Sequence, residues 1–130
     1  MDHDSGVITY PKFRMWLRSD GIVQMSWVSQ ASIDLEDAMA AIAAMTELTG
    51  GRRGPLLVDL HDSGQQTRPA RIEFTRHEDL VSAVALIVGT PVGRILGNFF
   101  LRVNRPPYPV ALFDDEASGL VWLQSFVESS

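Results

Sequence analysis

Leu56-Leu57-Val58-Asp59-Leu60, Ala83-Val84-Ala85-Leu86-Ile87-Val88 and Val110-Ala111-Leu112-Phe113 are short apolar runs separated by segments of helical periodicity. Runs of this length without polar alternation suit strands buried on both faces, as in a parallel sheet covered by helices. The stretch from Leu56 to Phe113 therefore decides the fold class, which is α/β. No catalytic motif accompanies it.

Toward the N-terminus, Phe13, Met15 and Leu17 alternate with Arg14, Trp16 and Arg18 at the two-residue period of a half-buried strand. Asp20-Gly21 follows as a hairpin turn, because these residues tolerate the positive φ that a tight turn requires. The returning strand covers 22–28, with Val23, Met25 and Trp27 on one face. Over 34–49, Leu35, Ala38, Met39, Ile42 and Met45 recur at spacings of three and four, which predicts a helix with that stripe inward. Asp34 is its N-cap, Glu36 and Asp37 place negative charge in its first turn, and Gly50-Gly51 ends it.

On the far side of Leu60, a polar loop over 61–66 leads to a helix from about Pro69 to Asp79, capped by Thr67. Thr90-Pro91 starts the next helix, whose apolar stripe is Val92, Ile95, Leu96, Phe99, Phe100 and Val103. Asn104-Arg105-Pro106-Pro107 stops it. Asp114-Asp115-Glu116 opens a last helix in which Ala117, Leu120, Val121, Leu123, Phe126 and Val127 face the interior. Residues 1–11 read as a flexible lead-in and 12–128 as a single domain of order ββαβαβαβα. Its sheet is mixed, antiparallel at the opening hairpin and parallel thereafter, with helices covering the later strands.

The 130 residues are 45% hydrophobic and 21% charged, which suits one cooperative core. No run approaches the roughly 18 apolar residues of a membrane span. Met1-Asp2-His3-Asp4-Ser5-Gly6 lacks the basic and apolar regions of a signal peptide, so the expected location is cytoplasmic. The absence of cysteine excludes disulfides, thiolate catalysis and cysteine-based metal sites. A net charge of -5 and a pI near 5.0 repel a polyanion at long range. The densest basic cluster, Arg68, Arg71, Arg76 and His77, is interleaved with Glu73, Glu78 and Asp79, so nucleic acid is not an expected partner.

The element order resembles the STAS and SpoIIAA-like superfamily of bacterial anti-sigma-factor antagonists, in an uncharacterised actinobacterial-type branch. The residues that carry the likeness are Leu57-Val58-Asp59-Leu60 and Thr67-Arg68-Pro69-Ala70-Arg71, then Asn98-Phe99-Phe100-Leu101, Asn104-Arg105-Pro106-Pro107, Phe113 and Trp122-Leu123. The likeness implies a non-enzymatic regulatory domain that binds a protein partner. In that family an Asp-Ser pair begins the helix after the strand, and the serine is phosphorylated. Here the corresponding positions are Thr67-Arg68, while Asp62-Ser63 lies several residues too early, so Thr67 is the residue left to accept a phosphate. SpoIIAA-like domains are also similar to lipid-binding carriers, which implies a second role as a carrier of a small apolar ligand.

Thr67, Arg68 and Arg71 form the first candidate site, because a capped helix start beside two arginines presents free backbone donors and positive charge to an anion or partner. The plainer reading is helix capping with a solvated face. Arg94 and Asn98 lie opposite the apolar stripe of the helix begun at Pro91 and form the second candidate, against a reading as ordinary surface or loop tethers. Gly93 and Gly97, one turn apart, allow another backbone or a second subunit to come close, and a homodimer is one expected form of partner contact. Asn104 and Arg105 are possible loop contacts, with Arg105 placed to bridge Asp114 or Asp115.

His3, His61 and His77 match no metal-site spacing, and no metal or cofactor is expected. His61-Asp62-Ser63 does not make a triad, since three consecutive residues rarely place nucleophile, base and orienting acid in mutual reach. No nucleophile elbow, phosphate-cradling loop or dinucleotide fingerprint is present, so the chain is not read as an enzyme. Trp16, Trp27 and Trp122 fall on predicted elements and read as packing residues. A surface Trp16 would instead join Ile22 or Val28 in an apolar patch on an uncovered sheet face. Phe99, Phe100, Leu101 and Phe113 are the residues that would line the pocket of a carrier.

Overall fold

A tight turn at Pro11-Lys12 folds Val7–Tyr10 (β1) back onto Phe13–Leu17 (β2), and Asp20-Gly21 folds β2 onto Val23–Trp27 (β3). Gly21 sits at φ +90, a conformation that glycine adopts without strain. The computed structural model describes residues 7–28, 30–61, 65–104 and 106–127. After β3 come Ser32–Ile33 (β4), Leu35–Thr49 (α1), Gly54–His61 (β5), Gln65–Gln66 (β6) and Arg68–Arg76 (α2). A 3-10 turn over Glu78–Leu80 leads to Val81–Val88 (β7), Pro91–Asn104 (α3), Val110–Phe113 (β8) and Glu116–Gln124 (α4).

The main sheet has six strands in the order β1-β2-β3-β5-β7-β8. Its first two pairings are antiparallel and the remaining three parallel, the mixed α/β architecture that the apolar runs predict. The predicted lead-in over 1–11 overlaps β1, because Val7-Ile8-Thr9-Tyr10 is too short and too uniformly β-forming to display alternation. The predicted helix to Asp79 ends at Arg76, where His77 donates to the carbonyl of Phe74 and the 3-10 turn takes over.

Two apolar layers sandwich the sheet. On one face Phe13, Met15, Met25, Trp27, Val58 and Val84 pack with Ala38, Ala41 and Met45 of α1 and Ala70 of α2. On the other, Ile22, Leu57, Ala85 and Ile87 pack with Leu123 of α4. Each fully buried residue such as Leu57 or Ile22 contributes roughly 1.5–3 kcal/mol. Alternation along each strand divides the two layers, as the pleat requires.

Both outer helices bury part of the predicted stripe, Ala38 and Met45 in α1 and Leu120, Leu123, Phe126 and Val127 at and beyond α4, but each is rotated from it. In α1 the inward residues include Ala38, Ala41 and Ala44, whereas Leu35 and Met39 stand in solvent. Alanines bring the helix axis close to the sheet, and the rotation follows from that approach. In α4 Gly119 plays this part: a Cβ there would lie 2.9 Å from Leu57 Cδ1 and 3.4 Å from Ala85 Cβ. Val121, predicted inward, is 74% exposed, and Ala117 is exposed as well. In α3 Ile95 is exposed, while the side chains of Val92, Leu96, Phe99, Phe100 and Val103 lie outside the described residues.

Because α4 packs on β5, β7 and β8, the same face of the opening hairpin is left without a helix among the described residues. Arg14 and Trp16 occupy that uncovered part, in register with Ser26 and Gln24. Trp16 is therefore a half-exposed surface residue with the Arg14 guanidinium 5.8 Å from its ring centroid, a cation–π arrangement. Of its predicted neighbours, Ile22 is fully buried in the core and Val28 is exposed.

Candidate functional site: the helix starts at the carboxyl edge of the sheet

Since β3, β5, β7 and β8 run parallel, their carboxyl ends share one edge of the sheet, and α1, α2 and α3 all begin there. In open α/β sheets this edge is where ligands and partners meet the fold. The starts of α1 and α2 are held side by side by a second, two-stranded sheet. In it Ser32 pairs with Gln65 and Ile33 with Gln66, and the Thr67 N–H donates to the Ile33 carbonyl at 3.0 Å.

Asp34 caps α1 by accepting from the Asp37 N–H, and Asp37 accepts in return from the Asp34 N–H, a reciprocal box that satisfies two orphan donors. The Asp37 carboxylate is buried and also accepts from the Lys12 ammonium at 2.7 Å. Burial alone would push its pKa up, but the hydrogen bonds from the Asp34 backbone and Lys12 outweigh that and hold the carboxyl below the usual range. Lys12 in turn is raised, chiefly by its hydrogen bond to Asp37.

Thr67 caps α2 as the sequence predicts, its Oγ1 accepting from the Ala70 N–H at 3.3 Å. Arg68 and Arg71 follow in the first turn, both exposed. Their guanidinium groups make no ion pair among the described residues. By contrast Arg18 meets Asp20 at 3.2 Å and Arg76 meets Glu73 at 3.4 Å. Two cations beside a helix N-terminus with no acidic residue in its first turn make the start of α2 electropositive, while the first turn of α1 beside it is acidic.

Arg94 is placed otherwise. It donates from Nη1 to the Leu112 carbonyl at 3.2 Å and lies 3.8 Å from Asp114, tying the first turn of α3 to the end of β8. Asn98 is exposed one turn further on. The two candidate pairs thus share an edge of the sheet but sit on different helices, α2 packing on α1 and α3 on β7 and β8. Gly93 serves its own helix start: its N–H donates to Thr90 Oγ1 at 2.9 Å, and a Cβ would lie 2.9 Å from that oxygen. Gly97, the Asn104 side chain, Arg105 and Asp62-Ser63 lie outside the described residues. Asp115 caps α4 by accepting from the Ser118 N–H at 2.7 Å, a bond that lowers its pKa.

The one local signal of Lys12 is its position in the Pro11-Lys12 turn, five residues after the β-forming run begins at Val7. The turn also borders a surface concavity of about 370 Å³ lined by residues 9–11, 13–14 and 26–28, at the same carboxyl edge. Of the residues proposed to line a carrier pocket, Phe113 is packed against Trp122 at 5.7 Å in the α4 layer. Among the described residues no helix is long and apolar enough to cross a membrane, and no three His, Asp or Glu residues gather as metal ligands.

A mixed sheet with these crossovers and helix starts defines a SpoIIAA-like α/β domain. An uncharacterised protein of the DUF3478 family with a SpoIIAA-like fold, from Shewanella loihica PV-4, superposes with a TM-score of 0.67. It is 15% identical, and the match covers 89% of this chain and 97% of that one, so what it shows is the fold. The chain belongs to the family described as Domain of unknown function (DUF7793), whose model matches residues 15–127. A protein of unknown function from Arthrobacter sp. FB24 is 31% identical over 95% of both chains, with a TM-score of 0.31. No curated protein matches the chain.

Proposed function

We propose that this domain is a cytoplasmic, non-enzymatic regulatory module that binds an acidic segment of a protein partner at the start of α2. The observation that supports the reading is the pair of exposed guanidinium groups of Arg68 and Arg71, without an ion pair among the described residues, on a helix start fixed by the β4–β6 pairing. A fixed cationic helix start binds without first having to be ordered, which lowers the entropic cost of association. Asn98 extends the contact along the same edge, and Arg94 holds α3 in place beneath it.

Affinity capture from the native host tests this, with wild-type protein compared against Arg68→Glu, Arg71→Glu and, as a control on α1, Thr46→Glu. The expected result is a partner retained by wild type and Thr46→Glu and lost from both arginine variants, with melting temperatures nearly unchanged. Retention of the same partner by Arg71→Glu overturns the assignment of the surface. Loss of fold in that variant shows the arginine to be structural instead.

A further inference from the structure

The two edges of the main sheet are built differently. β8 is flanked by Pro106, Pro107 and Pro109 on one side and Asp114, Asp115 and Glu116 on the other, and Arg94 of α3 covers its Leu112 carbonyl. Prolines, charges and a covering helix are the devices that keep an edge strand from pairing with another chain. β1 at the opposite edge is followed by Pro11 and Lys12 in its hairpin turn, but among the described residues no helix and no side chain covers its outer backbone groups as Arg94 covers Leu112. Val7-Ile8-Thr9-Tyr10 contains no charge and no proline, runs in unbroken register with β2, and has no strand on its outer side among the described residues.

We infer that β1 is a self-pairing edge, and that a second copy of this chain adds its own β1 antiparallel across a twofold axis. Three features select this occupant. The other edge is blocked, so head-to-tail addition of β8 to β1 has no free partner strand, and only the symmetric pairing closes. The chain carries a net charge of -5, yet this edge is uncharged, so two copies meet here without like-charge repulsion. The hairpin geometry supplies a matching register. With Tyr10 opposite Phe13 across a two-residue turn, those two exchange the hydrogen bonds of the hairpin. Alternation then turns the backbone groups of Val7 and Thr9 outward. Val7 of one copy faces Thr9 of the other, exchanging both bonds, and Ile8 meets its own counterpart on the axis.

On the helix-free face this pairing continues the rows of the hairpin, placing Val7 and Thr9 beside Trp16 and Arg14, and no row brings two arginines together. Four-residue pairing is short, so the dimer is weak and concentration-dependent rather than obligate. It involves neither Arg68 nor Arg71, so its failure and the failure of the partner site are separate results.

Sedimentation velocity over a range of concentrations tests it, with Thr9→Lys as the edge variant and Thr46→Lys on α1 as the control. The average mass is expected to rise from 14.4 kDa toward twice that value in wild type and Thr46→Lys. Thr9→Lys is expected to weaken association about tenfold. As the chain has no cysteine, Ile8→Cys supplies a lone thiol on the axis, expected to form a covalent dimer under mild oxidation much faster than Thr46→Cys does. A mass of one chain at every concentration, self-association unchanged by Thr9→Lys, or crosslinking no faster at position 8 than at position 46 overturns the inference.

Discussion

The Lys12 ammonium donates to Asp37 Oδ2 at 2.7 Å and to the Ser32 carbonyl at 2.8 Å, joining the β1–β2 turn to the first turn of α1 and to β4. One side chain thus fastens three segments that are distant in sequence. Asp37→Ala removes its anchor together with half of the capping box. The expected cost is about 2 kcal/mol, read as a lower urea midpoint with an unchanged slope. A loss within a few tenths of a kcal/mol contradicts the role given to this carboxylate.

The same pair sets a pH dependence. Asp37 is held below its ordinary value of 3.8, so its stabilisation is present above that pH and is lost as pH falls through the folded pKa. Lys12 is raised above 10.5, so its stabilisation is present below that pH and is lost as pH rises through the folded pKa. Urea midpoints are therefore expected to be flat through neutrality and to fall at both extremes. Lys12→Met should flatten the alkaline limb, and Asp37→Asn the acid limb.

At Gly119 the helix backbone approaches the sheet closely enough that a methyl group meets Leu57, Ile87 and Ala85. Alanine gains up to about 1 kcal/mol in helix propensity over glycine, but overpacking a closed layer costs roughly 1–3 kcal/mol. Gly119→Ala is accordingly expected to lower the melting temperature. A rise would mean that the Leu57 and Ile87 methyls yield freely.

Arg94→Ala removes the hydrogen bond to Leu112 and the ion pair with Asp114. Partial exposure keeps the ion pair weak, so the global loss is expected near 1 kcal/mol. The more telling readout is local: amide exchange should accelerate in β8 and the first turn of α3 while β5 stays protected.

The central strands, the hairpin, both predicted helix caps at Asp34 and Thr67 and the position of the α3 start were legible from local signals: continuous apolar runs, Asp-Gly, and capping residues before periodic segments. β1 was not, because four residues are too few for a period. Nor was the rotation of α1, since Ala41 and Ala44 carry little hydrophobic weight individually and only the nearness of the sheet reveals that they, rather than Leu35 and Met39, face inward. At the candidate site, Thr67, Arg68 and Arg71 could be located from a cap and two adjacent charges. The role of Arg94 depended on Leu112 and Asp114, eighteen and twenty positions away, contacts that no window on the chain contains.

The small β4–β6 sheet links parts of the fold that are far apart in sequence. From the beginning of α2 the bonded chain runs through Thr67 and Ile33 into β4, from there to the neighbouring Asp34 cap, and through Asp37 and Lys12 to the hairpin bend that carries β1. The arginine-bearing end of α2 and the bend that carries β1 are thereby joined by one continuous chain of hydrogen bonds.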